Sequence, residues 1–512
     1  MPNRGDPGLP RPTDGRLHAI ADRWGFNLTE DDLEDYRTLV EGALNEIAGL
    51  SEFGEPDFDL VADAGSRAGY RPDTEEDPHN AWITKCEVSA DVEGPLDDLE
   101  IGLKDCIAMA GIEMTCGSVL LEGFVPNVDA TVVQRLLSDG ARIVGKTNMD
   151  VFLFGGTSLF QDFGGVTENP HGTGHMAGGS TSGAAGVAAG ECDTVIATDQ
   201  NGSTRAPSSW CGCVGMKPTF GLVPYTGISS SESCLDHVGV ISNSVAKNAK
   251  VLESIAGVDR NNGVAFDPRQ STSVTVEKYT TRAAASPEDI TIGILEEGFD
   301  HPASDPAVDD LVMERLDALE TRGFETERVS VDAHSASIPQ MNAVMSLAAQ
   351  NGIGANAIGP GLGGWKWTQL ADAFNRARQS RANRLSPVVK TLLLVAGHVS
   401  EESGHHYYAR AKNLLLAAER EYTAHLESVD VLALPTTSMT AYEIDEDAGR
   451  VERVQKDADV MVNTSPFNHT GHPAMTVPCG TVEELPVGLQ FVGAKFDELR
   501  LSTSQSTPVD SF

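Results

Sequence analysis

Ile290-Thr-Ile-Gly-Ile-Leu295 and Phe324-Glu-Thr-Glu-Arg-Val-Ser-Val331 bracket a run that opens at Asp305-Pro306 and stops at Arg322-Gly323. The two outer segments are short and apolar or β-branched, which predicts strands. Between them Asp305 suits a helix N-cap and Pro306 the first helical position, so a helix is expected over 305–322, stopped by Gly323. The same alternation recurs on both sides. Residues 129–137 place Val132, Val133, Leu136 and Leu137 on one helical face, Gly140 ends that helix, and 141–144 reads as a buried strand. Near the C-terminus a helix over 409–426 runs into a strand over 429–434. Strands alternating with helices predict an α/β fold around a mixed or largely parallel sheet. Upstream, Leu33, Tyr36, Val40, Leu44 and Ile47 fall at helical spacing behind Asp31 and Asp32. The expected organisation is a disordered leader over 1–14, an N-terminal helical unit over 15–80, a catalytic domain over 81–500 and a polar tail over 501–512. There is no internal repeat.

Composition narrows the class. The chain has 512 residues, 40% of them hydrophobic, enough to bury a large core. Lys plus Arg number 37 and Asp plus Glu 75, so the net charge is 37 − 75 = −38. Phosphates would be repelled, which argues against a nucleic-acid partner. No apolar run approaches the 18 or so residues of a membrane span, and the first residues lack the apolar stretch of a signal peptide. Eight cysteines in such a length suggest a reducing cytoplasm rather than a disulfide framework. Only 12 of the 37 basic residues are Lys, and the acids are spread along the chain. A charge of this size opposes compaction unless salt screens it, which points to a salt-rich cytoplasm such as that of a halophilic archaeon.

Three local patterns suggest chemistry that their context opposes. Gly140-Ala-Arg-Ile-Val-Gly-Lys-Thr147 matches a phosphate-binding loop letter for letter, but such a loop follows a strand and opens a helix. Here a helix precedes it and its middle reads as strand. His171 and His175 have a metal-ligand spacing, yet two glycines between them bar a stable helix. Cys211 and Cys213 lack a second cysteine pair, and nothing near His405 and His406 completes a ligand set. No metal site is expected.

The informative segment is Gly178-Gly-Ser-Thr-Ser-Gly183 followed by Asp199-Gln-Asn-Gly-Ser-Thr-Arg205. A serine reached through Asn-Gly sits on a turn whose main-chain N–H groups can converge on one point, as an oxyanion hole requires. No histidine lies within this segment to serve as its base. A lysine can serve if burial keeps it neutral, and Lys104 stands in the mostly apolar, strand-like run 99–108.

These residues resemble the amidase signature family, whose hydrolases use a Ser–cis-Ser–Lys triad. The resemblance covers about Leu17 to Arg500. It is carried by Gly102-Leu-Lys-Asp105, Leu121-Glu-Gly-Phe-Val-Pro126, Gly145-Lys-Thr147, Gly178-Gly-Ser180, Asp199 through Arg205, Cys211 through Thr219, Gly221 through Gly227, and Phe467 through Gly480. The Asp-Gln pair before the serine looks most like broad-specificity, sometimes enantioselective, amidases of nitrile-degrading pathways. The resemblance implies a large mixed sheet covered by helices on both faces. It implies Ser203 as nucleophile, Ser180 as proton relay after a cis bond from Gly179, and Lys104 as base and later acid. Main-chain N–H groups of Gln200, Asn201, Gly202 and Ser203 would form the oxyanion hole, and Asp199 and Arg205 would brace the loop. The expected reaction converts a small-molecule amide to carboxylate and ammonia with no cofactor, no nucleic acid and no membrane; a homodimer stays open.

A tRNA amidotransferase A subunit is the alternative within the family, and three departures from the family's pattern give a further reading, a catalytically impaired homologue. Asn201 stands where the family has Gly. The stretch between Ser180 and Ser203 is one residue short, apparently in the alanine-rich helix near Ala185-Gly186. The end from Leu501 is polar where the family closes with an amphipathic helix.

Overall fold

The computed structural model describes residues 10–54, 62, 64–179, 181–261, 264–270, 274, 276–280, 290–354, 357 and 363–504. The chain divides into two compact units, Met1–Asp59 and Leu60–Phe512. In the first, helices span Asp14–Trp24 and Glu30–Ala48. Thr13 caps the first of them, within the predicted leader, whose residues 1–9 lie outside the described set. Thr29 and Asp32 form a reciprocal capping box that starts the second.

The larger unit is built on twelve strands: β1 (Gly69–Tyr70), β2 (Trp82–Val88), β3 (Glu100–Lys104), β4 (Arg142–Thr147), β5 (Thr194–Asp199), β6 (Val214–Lys217), β7 (His237–Ser242), β8 (Thr291–Leu295), β9 (Glu325–Val329), β10 (Val431–Pro435), β11 (Ala474–Val482) and β12 (Leu485–Val492). They form one sheet in the order β1-β2-β4-β3-β5-β7-β6-β11-β12-β10-β8-β9. Pairing is mixed: β3 runs parallel to both β4 and β5, and β8 to both β9 and β10. The pairs from β5 through β7, β6, β11 and β12 to β10 are antiparallel. Every residue of β5, β7 and β12 is buried, as central strands covered on both faces must be. The mixed α/β architecture expected from the sequence is therefore present. Residues 60–80, which the sequence groups with the N-terminal helices, include β1 at one edge of this sheet.

Local signals account for most element boundaries. Pro306–Thr321 is helical, and the Asp305 carboxylate accepts the Ala307 N–H at 2.9 Å. The helix expected from Asp129 begins instead at Thr131. Asp129 is drawn away from it because its carboxylate accepts from Arg67 and from the Ala110 N–H. The helix expected at 409 begins at His406. Strand β4 extends through Gly145-Lys-Thr147, so the phosphate-loop pattern is a strand end. Its glycine answers a packing need: a methyl group at Gly145 would stand 2.7 Å from both the Trp82 ring and the Thr84 carbonyl oxygen. Lys146 is buried against Asp105, 3.2 Å away.

Candidate active site

Lys104 and the turn that carries Ser203 stand at the same ends of β3 and β5, which are parallel neighbours. Lys104 is the last residue of β3, and the turn after β5 carries Gln200 through Thr204. Open α/β sheets bind their ligands at such carboxyl ends of strands. Lys104 is wholly buried and donates to the Thr198 carbonyl oxygen at 3.3 Å. Burial, which disfavours the ammonium form, pushes it down from 10.5 to about 8. Ser203 is 1% exposed. Gly179 is described, whereas Ser180, and with it the expected cis bond and relay contacts, lies outside the described residues.

The loop around Ser203 is held from beneath by a buried ion pair. Asp199 Oδ1 accepts the Gly202 N–H at 2.7 Å, and Oδ2 accepts the Thr204 N–H at 3.1 Å. Arg205 reaches Asp199 through Nε at 3.1 Å and through a terminal nitrogen at 3.0 Å. Burial alone would raise the Asp199 carboxyl, but the Arg205 charge and its hydrogen bonds outweigh that, so it lies well below the ordinary carboxylate range. Asp199 and Arg205, expected to brace the loop, are hydrogen-bonded to each other beneath it, Asp199 to its Gly202 and Thr204 N–H groups. One detail differs from the sequence reading: the Gly202 N–H, expected in the oxyanion hole, points at Asp199 instead. Gln200 donates from Nε2 to Tyr225 OH (3.0 Å) and Asp236 (3.2 Å). Asn201 accepts from the Ser465 hydroxyl at 3.0 Å through Oδ1.

Several supporting groups have no local signal in the sequence. Arg205 also donates to the Thr464 carbonyl oxygen and to Gln490 Oε1, at 2.9 and 2.8 Å, and Asn468 Nδ2 donates to Asp199 Oδ1 at 2.8 Å. The nearest of these partners lies 259 residues downstream. Lys217, another fully buried lysine, donates to the carbonyl oxygens of Pro218 and His472; burial holds it well below the usual lysine range.

Ser203, Gln200 and Asn201 open on a cleft of about 360 Å³. Its walls are mostly apolar: Phe154, Met341, Met345, Leu392, Val395 and Met461 are among them. The one carboxylate or basic side chain among the described lining residues is Asp457. The remaining decoys stand elsewhere. His171 precedes a hairpin strand (Gly172–Met176) and His175 lies within it, and the thiols of Cys211 and Cys213 face the carbonyl oxygens of Ala177 and Ala184. His405 and His406 start a helix, His405 as its N-cap. Among the described residues no cluster of three metal-ligating side chains occurs, and no helix is long and apolar enough to cross a membrane.

Comparison with known proteins agrees with this arrangement. The family model described as Amidase matches residues 78–501. An enantioselective amidase of Rhodococcus rhodochrous is 33% identical over 497 residues, 96% of this chain and 94% of that protein. The glutamyl-tRNA(Gln) amidotransferase A subunit of Natronomonas pharaonis is 36% identical over 432 residues, 83% of this chain and 98% of that protein. The crystal structure of a peptide amidase in complex with the inhibitor chymostatin is similar at a TM-score of 0.65 and 27% identity, covering 91% of this chain and 92% of that one. The fold and these similarities are those of an amide-hydrolysing enzyme. The chain belongs to the amidase signature family.

Proposed function

We propose that the protein is an amidase that converts a carboxylic acid amide to the carboxylate and ammonia through a Ser203 acyl-enzyme. In this scheme Ser203 Oγ attacks the amide carbonyl carbon while its proton passes through the Ser180 hydroxyl to neutral Lys104. The oxyanion is met by main-chain N–H groups of Gln200, Asn201 and Ser203. Collapse breaks the C–N bond, and the Lys104 ammonium returns its proton to the departing ammonia. Water then attacks the acyl ester, releases the carboxylate and restores Ser203. No step calls for a metal or cofactor.

One observation carries the choice of substrate: the cleft at Ser203 is apolar, with no lysine or arginine among its described lining residues. An uncharged amide with an apolar acyl group fits such walls. Glutamine, the ammonia source that a tRNA amidotransferase would use, brings an α-carboxylate that would be buried there without a cationic partner. The strong similarity to the Natronomonas protein favours that second reading, so glutamine belongs in the test. Ammonia release is measured from hexanamide, benzamide and glutamine, in about 2 M KCl, with wild type and Ser203→Ala. The expected result is turnover of the apolar amides, lowered by about 10²-fold or more in Ser203→Ala. Undiminished turnover in that variant sinks the nucleophile assignment. Preference for glutamine transfers the protein to the amidotransferase reading, and no turnover of any amide to the impaired-homologue reading.

A further inference from the structure

Two buried carboxylic acids beside the cleft take no part in the scheme above. Asp150 is fully buried and Asp457 is 7% exposed. Between them runs the turn Gly155-Gly-Thr-Ser158. Asp457, in the helix Arg450–Asp459, accepts the Gly156 N–H and, at 3.0 Å, the Thr157 hydroxyl. From the other side Asp150 accepts the N–H groups of Ser158 at 3.2 Å and Phe160 at 2.9 Å. The grip is close. A methyl group at Gly155 would stand 2.2 Å from Asp150 Oδ2, and one at Gly156 would stand 2.5 Å from the Asp457 carbonyl oxygen. Burial pushes the Asp457 carboxyl up to about 6, and burial together with the Asp457 charge holds Asp150 well above the ordinary range. Two buried carboxyls are costly in a core, which asks for a return on that cost elsewhere.

The turn hands its position on. Its Gly156 carbonyl oxygen accepts the Gly179 N–H at 2.8 Å. The Ser158 hydroxyl faces the carbonyl oxygens of Gly178 and Gly179, at 3.2 and 3.3 Å. Gly179 is the residue bonded to Ser180. We propose that Asp457 is a positioning residue: with Asp150 it clamps the 155–158 turn, and that turn fixes the Gly178–Gly179 backbone, which immediately precedes the relay serine in the chain. This rests on the Ser203–Ser180–Lys104 reading. The clamp couples a wall of the substrate cleft to the proton path, through residues 300 positions apart in the chain. Its value is geometric, because a displacement of about 1 Å in a relay of this kind costs on the order of 100-fold in rate.

The test uses the full-length protein in about 2 M KCl, with wild type, Asp457→Asn, Asp457→Ala, Ser158→Ala, the Asp457→Ala/Ser158→Ala pair and Ser203→Ala. Measured are kcat and KM on benzamide and hexanamide, and the rate at which phenylmethanesulfonyl fluoride inactivates Ser203. Asp457→Ala is expected to lower kcat and the inactivation rate by about 10- to 100-fold, with KM within about threefold of wild type. Asp457→Asn keeps an acceptor oxygen for both donors and is expected to recover kcat to within about fivefold of wild type. Ser158→Ala moves kcat in the same direction, and the double variant falls little below the worse single one, because both act through one turn. The proposal is overturned by wild-type kcat in Asp457→Ala, by a loss confined to KM, or by fully additive losses. It is equally overturned if Asp457→Asn is as impaired as Asp457→Ala, an outcome that makes Asp457 a charge read by the substrate. Should Asp457→Ala fail to fold, Ser158→Ala decides: unchanged kcat there overturns the clamp. Activity that survives Ser203→Ala removes the catalytic reading itself, whereas a dead Ser203→Ala beside normal clamp variants removes only the clamp.

Discussion

Lys104 ends β3, Lys146 is the last residue but one of the neighbouring β4, and both are wholly buried, yet two of their contacts differ in kind. Lys146 meets a carboxylate, Asp105, at 3.2 Å, whereas Lys104 donates to a neutral carbonyl oxygen, that of Thr198. At Lys104 desolvation outweighs the nearby negative groups, Asp199 and Asp150 among them, and brings it to about 8. The neutral form that can accept a proton exists above that value, so activity must rise with pH rather than fall. At pH 7 only about a tenth of the molecules would hold neutral Lys104. We expect kcat/KM on benzamide to climb about tenfold per unit below pH 8 and to level off above it. Lys104→Arg, which stays charged, should be inactive across the same range. A profile flat from pH 6.5 to 9 would contradict Lys104 as the base. The residue itself was legible because an apolar strand rarely carries a lysine. Asp150 and Asp457 were not, since nothing near either in the chain announces that they grip one turn.

At the scale of elements, Arg205 joins parts that the chain keeps far apart. It binds Asp199 at the end of β5, the Thr464 carbonyl oxygen before the helix Ser465–Thr470, and Gln490 within β12. Removing the guanidinium would leave Asp199 charged and buried without its ionic partner, a loss of about 3–5 kcal/mol. Arg205→Met should accordingly lower the urea midpoint sharply at fixed KCl. Arg205→Lys should fall between it and wild type, because an ammonium keeps the charge but not the planar fork. A midpoint for Arg205→Met equal to that of wild type would refute this account. Helix and strand limits came largely from local chemistry, as at Asp305-Pro306. Where they missed, as at Asp129, a contact with a distant group (Arg67) had outbid the local preference.

For the whole molecule the governing quantity is the net charge of −38. Repulsion among exposed carboxylates acts over the Debye length, about 10 Å at 0.1 M salt and about 3 Å at 1 M. Raising KCl from about 0.1 to 2 M should therefore raise the melting temperature steeply. Sucrose of matched osmolality, which does not screen charge, should not reproduce the whole gain. A melting temperature constant across that KCl range would remove the halophilic reading and leave the catalytic one intact.

The sequence by itself determined the alternation of strands and helices, the caps that bound them, the charge, and the two motifs that carry Lys104 and Ser203. Those features depend on neighbours a few residues away, where propensity, periodicity and capping act. Only the tertiary structure decided the strand order, which sets β3 beside β5 and so Lys104 beside the Ser203 loop. It alone gave Asp199 and Arg205 their support from Thr464, Asn468 and Gln490, and joined Asp457 to the turn before Gly178. Such contacts are chosen by burial: a polar group inside the core must find its partner in space, and the chain position of that partner leaves no mark on the residues around it.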